Sequence, residues 1–107
     1  MSPMDTRTRT RQEIVGLARK MISSEVNLIE GSREISRLRY DAGNPDDELY
    51  LVFRGVDSET DHLPLGEVRK RASQKHLRRA DAEMDAYISA ARDGILAACW
   101  KIIKAFS

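Results

Sequence analysis

From Leu77 to Phe106 apolar residues recur every three or four positions, through Ala80, Met84, Tyr87, Ile88, Ala91, Ile95, Cys99, Ile102 and Ile103. That spacing lays one stripe along an α-helix, and it commits more than a quarter of the chain to helix before any other segment is considered. Begun at Ser73 and run without interruption, the helix would have roughly 33 residues and be about 50 Å long. A domain of this size should be nearer ~30 Å across, about the length of a 20-residue helix. Asp93-Gly94 is the natural place for a break. The expectation is therefore two helices, Ser73–Ala91 and Asp93–Phe106, with a single kinked helix as the alternative.

The remaining segments also read as helix. Between about Thr8 and Ser23, the residues Ile14, Leu17, Ala18, Met21 and Ile22 share a face, and Arg11, Arg19 and Lys20 fall away from it. Gly16 lowers helix propensity there and would let another helix approach closely. A second helix is predicted over Asn27 to Tyr40, striped by Leu28, Ile35 and Leu38, with Asn27 as cap and Glu30 in the capping-box position. Asp41 to Asp47 is rich in turn-forming residues. Glu48 to Val56 is ambiguous: Leu49-Tyr50-Leu51-Val52-Phe53 has the composition of a strand, yet Leu49, Val52, Phe53 and Val56 keep helical spacing. Asp46 or Asp47 would cap a helix, and no second strand-like run exists to pair with, so helix is expected. Asp57 to Gly66 reads as a loop and Glu67 to Ala72 as a helical turn.

The fold class that follows is all-α, a small bundle of four to five helices with a charged central loop, forming a single helical domain over residues 1–107. Its expected core holds Ile14, Leu17, Met21, Ile35, Leu38, Val52, Phe53, Met84, Ile88, Ile95, Ile102 and Phe106. A domain this small is marginal, and a homodimer or another partner would add stability.

With 41% hydrophobic and 33% charged residues the chain is apolar enough to fold. One cysteine excludes a disulfide scaffold and a four-cysteine zinc site. Met1 to Arg7 lacks the apolar core of a signal peptide, and no run approaches the roughly 18 apolar residues of a membrane span. A lone Cys99 fits a reducing cytoplasm, an intermolecular disulfide being the alternative. Trp100, next to it, is expected at the edge of the apolar stripe, either covering the core or anchoring a partner.

A net charge of +1 hides segregation. Asp41 to Asp61 carries seven acids and one base, and His62 to Ala80 six bases and one acid. These segments either pair with each other, each exposed pair contributing about 0–1 kcal/mol, or form a charged recognition surface. Arg7, Arg9 and Arg11 could extend the basic segment into a nucleic-acid-binding patch. Against that, the segment has no interleaved aromatics and matches no nucleic-acid-binding signature.

Evidence for chemistry is thin. Asp57, Glu59, Asp61 and His62 fall within six residues, but a calcium loop begun at Asp57 would need glycine and a bidentate acid where His62 and Val68 stand. The bland alternative is a turn whose Asp57, Ser58 and Thr60 side chains satisfy nearby amides. His62 and His76 have no metal-ligand spacing, Ser32, Ser36 and Ser73 no nucleophile-elbow context, and Gly16, Gly31 and Gly94 form no phosphate loop. The expectation is no enzyme, no catalytic residues, no metal and no cofactor.

The string Asp57-Ser58-Glu59-Thr60-Asp61-His62-Leu63-Pro64-Leu65-Gly66-Glu67-Val68-Arg69 resembles the central motif of a family of short uncharacterised bacterial all-helical proteins. The likeness extends to Ile14-Val15-Gly16-Leu17-Ala18, to Gly31-Ser32-Arg33-Glu34-Ile35 and to the C-terminal helix. Lys70 to Lys75 is more basic here than in that family. The resemblance implies a stand-alone domain and transfers no mechanism. In size and chemistry the chain is similar to toxin immunity proteins, which cover the active site of a cognate toxin. The functional expectation is a cytoplasmic protein-binding module, most concretely an immunity or antitoxin protein. Asp57, Glu59 and Asp61, with His62 beside them, would face a basic site on the partner, and Arg69 and Arg71 would steady the loop. Nucleic-acid binding through Arg69 to Arg79, and a metal-dependent enzyme centred on Asp57 to His62, are the alternatives.

Overall fold

The computed structural model describes residues 5–107; Met1 to Met4, part of the stretch read for a leader, lie outside the described residues. Four α-helices make the bundle: α1 (Thr6–Ile22), α2 (Leu28–Ala42), α3 (Leu51–Thr60) and α4 (Gln74–Phe106). Two short 3₁₀ segments, Glu48–Tyr50 and Gly66–Arg71, lie before α3 and before α4. Among the described residues there is no strand. Helix α1 packs between α2 and α4, and α3 closes the bundle by packing on α2 and, less extensively, on α4.

Local chemistry accounts for the helix starts. Asp5 accepts from the Thr8 amide at 2.8 Å, and that bond holds its carboxyl below the usual aspartate range. Asn27 accepts from the amides of Ile29 (2.8 Å) and Glu30 (3.1 Å), Asp47 from Leu49 (2.9 Å), and Ser73 from His76 (3.1 Å). Arg19 and Lys20 fill the last turn of α1, where cations complement the helix dipole. The C-terminus of α2 is closed from a neighbouring helix: Arg11 of α1 donates from Nε to the Ala42 carbonyl at 3.0 Å. Its guanidinium also lies 5.2 Å from the Phe106 ring centre, which fixes α1 antiparallel to the end of α4.

Helix α4 is one helix of 33 residues, a correction to the expected break at Asp93-Gly94. An interior glycine costs about 1 kcal/mol relative to alanine. A break there would orphan up to about eight backbone groups. The expectation failed because it assumed a roughly spherical domain, whereas the molecule measures 54 × 28 × 25 Å. The C-terminal half of α4 packs on α1, and the N-terminal half runs on beyond it.

Ile14, Ile35, Phe53, Ile95 and Ile102 are fully enclosed in the core. The core differs from expectation at Tyr50 and Val52: Tyr50 is 1% exposed and Val52 39%. Tyr50, the last residue of the 3₁₀ segment, turns inward beside Phe106, 6.3 Å between ring centres, and the buried stripe in α3 is Phe53, Val56 and Thr60. Leu17, Ile88 and Phe106 pack on the core from its margin. The close approach expected at Gly16 occurs at Gly31, where a Cβ would collide with the Met21 thioether; around Gly16 there is open space. Trp100 is 60% exposed and lies outside the buried core.

Candidate functional site

Asp57, Ser58, Glu59 and Thr60 are the last turn of α3, where a loop was expected. The end of that turn is held from α2. The Arg33 guanidinium donates to the Thr60 carbonyl and also reaches the Thr60 hydroxyl (3.4 Å) and the Leu63 carbonyl (3.2 Å). Thr60 itself donates back to the Val56 carbonyl at 2.6 Å, and Leu63 N–H to the Thr60 carbonyl at 2.9 Å. Carbonyls left over at a helix end are thus satisfied by a side chain some 27 residues earlier in sequence.

Winding residues 57–60 into helix scatters the expected site. Glu59 turns toward α4 and accepts from the Tyr87 hydroxyl at 2.5 Å. His62 Nε2 lies 2.7 Å from Glu83, and Arg69 pairs in a fork with Asp81 at 2.8 and 3.1 Å while also reaching the Pro64 carbonyl at 3.3 Å. Together these contacts dock the segment from 59 to 69 along the N-terminal half of α4. Arg69 is tied to α4 and not to the acids of 57–61. Arg71 makes no ion pair among the described residues. Between the acidic and basic segments the described residues form one close contact of ionisable groups, His62 with its neighbour Asp61 at 3.9 Å, while Arg69 is paired with Asp81 of α4 and Lys70 with Glu67. Asp57, Glu59, Asp61 and His62 do not converge, and no group of three potential metal ligands forms among the described residues.

Two of these groups have displaced protonation equilibria. The Arg69 guanidinium beside Asp81 holds that carboxyl below the usual aspartate range. Burial, and then its bond to the Glu59 carboxylate, push the Tyr87 phenol up to about 12. A raised folded-state value means that the Tyr87 contact stabilises the fold at every pH below the ordinary phenol value of 10.0, and that its contribution is lost as the pH rises from there through about 12. In an alkaline absorbance titration of the native protein, Tyr50 and Tyr87 should both ionise late, since burial raises both phenols, and Tyr87→Phe should remove one tyrosinate from that late phase. A late phase of undiminished amplitude in Tyr87→Phe would place the contact elsewhere. Cys99 is fully buried, and burial pushes its thiol up to about 11, so it stays protonated and unreactive near neutrality.

Asp57 and Asp61 line a different feature, a broad open hollow of about 690 Å³ between α2 and α3. Its other end carries Arg39, Tyr40, Leu51 and Arg54. Tyr40 is 64% exposed and Leu51 56% exposed. Tyr40 is nevertheless held in place. The Arg39 guanidinium stacks 4.2 Å from its ring centre and donates to its hydroxyl at 2.6 Å, while bonding to the Ser36 carbonyl (2.5 Å) and hydroxyl (2.8 Å). Arg37, on the rim, is paired with Glu34 one turn back in α2. Sequence reasoning missed Arg33, Arg39 and Tyr40 because α2 looked like an ordinary amphipathic helix. The one available signal was a tyrosine placed just after the apolar stripe and beside an arginine.

Arg7, Arg9 and Arg11 do not extend the basic segment, as the nucleic-acid alternative supposed. Arg11 lies against Phe106 at one end of α4, and Arg78 and Arg79 stand near the other, about 40 Å away along the helix axis. No helix among the described residues is long and apolar enough to cross a membrane.

No curated protein and no solved structure matches the chain. A family model described as "Protein of unknown function (DUF2489)" matches residues 3–102. That match takes in all four helices and both 3₁₀ segments apart from the last turn of α4, and the chain accordingly belongs to the DUF2489 family.

Proposed function

We propose that this chain is a protein-binding module whose docking surface is the α2/α3 hollow. In its most concrete form it is an immunity or antitoxin protein, acting in the cytoplasm and neutralising a bacterial toxin by steric occlusion. The observation that carries the reading is Tyr40, an aromatic side chain held outward by Arg39 beside the exposed Leu51. Tyrosine and arginine are enriched among the residues that dominate interface energies, and a side chain fixed before binding loses less entropy on docking. The hollow is also bipolar, with Arg39 and Arg54 at the Tyr40 end and Asp57 and Asp61 at the other. It suits a partner segment with an acidic, apolar end and a basic end, and such complementarity favours the right partner over wrong ones. The acidic contribution first expected from Asp57, Glu59 and Asp61 thus reduces to Asp57 and Asp61.

The test is capture from the native host at low and physiological salt, with wild type and Tyr40→Ala side by side. The captured protein is then expressed alone and together with each form. Wild type should retain one stoichiometric partner whose expression arrests growth, and co-expression of wild type should restore growth. Tyr40→Ala should weaken the complex by about 2 kcal/mol, close to thirtyfold, and fail to restore growth. No partner at either salt, or equal capture and rescue by Tyr40→Ala, would overturn the reading.

A further inference from the structure

The first two turns of α4 carry Lys75, Arg78 and Arg79 with no acid in the first turn, and Arg71 precedes them on the 3₁₀ segment. All four are exposed. The neighbouring Arg69 and Lys70 are taken up by Asp81 and Glu67, but none of these four makes an ion pair among the described residues. The arrangement is unfavourable in the free protein. Lys75 sits in the first turn, where the helix dipole repels cations, and it has like-charged neighbours three and four residues on, in Arg78 and Arg79. A bound polyanion would reverse each of these terms.

We infer that this pole, Arg71, Lys75, Arg78 and Arg79, binds the phosphate backbone of nucleic acid without reading its bases. Three of the four cations are arginines, whose planar forks match phosphate oxygens. Of the large apolar side chains exposed among the described residues, Tyr40, Leu51, Val52 and Trp100 stand outside the pole, and Val68 lies beside it, lining a hollow with Arg71 and His76. The pole carries no phenylalanine, tyrosine or tryptophan to stack on an unpaired base. A membrane surface is disfavoured because the apolar face that would enter it is occupied: Ala80 and Met84 are buried within the protein. The pole shares no residue with the α2/α3 hollow, so the two proposals can fail separately.

Fluorescence anisotropy of the full chain with two DNA duplexes of unrelated sequence tests the inference. Both should bind alike. Four neutralised phosphates give a slope of log affinity on log salt of about −3.6, or about a hundredfold weakening between about 50 and about 200 mM salt. Lys75→Gln/Arg78→Gln/Arg79→Gln should flatten that slope to about −1 while leaving the helical circular dichroism and cooperative unfolding of the free protein intact, which separates loss of a site from loss of fold. No binding at the lower salt, an unchanged slope in the triple variant, or equally tight binding to poly-glutamate or to vesicles containing phosphatidylglycerol would overturn the inference.

Discussion

Gly31→Ala is expected to destabilise the wild-type protein by about 1 kcal/mol, yet to stabilise a protein that already carries Met21→Ala. Met21 is buried at 1% exposure between α1 and α2, with Cys99 of α4 4.0 Å from its sulfur. Met21→Ala alone should cost about 2–5 kcal/mol, the usual range for truncating a buried methionine. A Cβ at Gly31 would meet both the Sδ and the Cγ of Met21, so moving the thioether tip alone does not relieve the clash. Overpacking of this kind costs about 1–3 kcal/mol, and alanine returns up to about 1 kcal/mol of helix propensity. The first effect wins while Met21 is present. Once Met21 is alanine the clash is gone, and only the propensity gain and a partly filled cavity remain. Urea unfolding of the four proteins checks this through the change of sign. If Gly31→Ala stabilises in both backgrounds, the crossing of α1 and α2 is looser than described.

That crossing also shows what the sequence could and could not disclose. The helices were legible because their signals are local. Asn27 caps α2 as its position implies, and the absence of a second strand-like run was sufficient to assign residues 48–56 to helix. Which glycine admits a neighbouring helix was not legible. Gly16 stands among apolar neighbours and Gly31 among polar ones, so sequence context favours the wrong glycine, and only the packing of α1 on α2 corrects it. Burial of Tyr50 in place of Val52 was hidden because Leu49, Val52, Phe53 and Val56 satisfy a helical stripe by spacing alone, and only the packing of this segment, which sets Tyr50 beside Phe106, selects between Tyr50 and Val52. Trp100 admits two readings at the edge of the α4 stripe, a cover for the core or an anchor for a partner, and spacing alone does not decide between them; its 60% exposure disfavours the first. The candidate site was the least legible part. Six charged residues close in sequence suggested one surface, but the 100° step of α3 sends Glu59 toward α4 and leaves Asp57 and Asp61 facing the α2/α3 hollow. Their partners Tyr87, Glu83 and Asp81 come from a helix whose polar face carried no mark of that role.

Arg33→Ala should cost about 2–3 kcal/mol and free the connection that α3 sends to α4. Arg33 supplies the donors for the Thr60 and Leu63 carbonyls, and Thr60 is fully buried. Hydrogen bonds to a charged donor contribute about 1.5–3 kcal/mol, and an orphaned buried acceptor costs about 1–3 kcal/mol. The sum is held down because Arg33 Nε is itself buried without a partner, a cost that the substitution removes. Arg33→Lys should recover part of the loss, since a single nitrogen, Nη2, serves both carbonyls and an ammonium also carries several donors, but on a shorter side chain. Arg37→Ala, one turn further along α2, is the control. Its pair with Glu34 is exposed and screened by solvent, so its loss should leave the urea midpoint nearly unchanged. Hydrogen exchange supplies the local readout. With Arg33 gone, the Leu63 amide and the Gly66–Arg71 segment should exchange much faster, while α1 and the C-terminal half of α4 change only as far as global stability falls. A uniform increase across all four helices would mean that Arg33 supports the fold as a whole. The specific claim is that it pins one turn, and through that turn sets where Asp57, Asp61 and the contacts of Glu59, His62 and Arg69 stand.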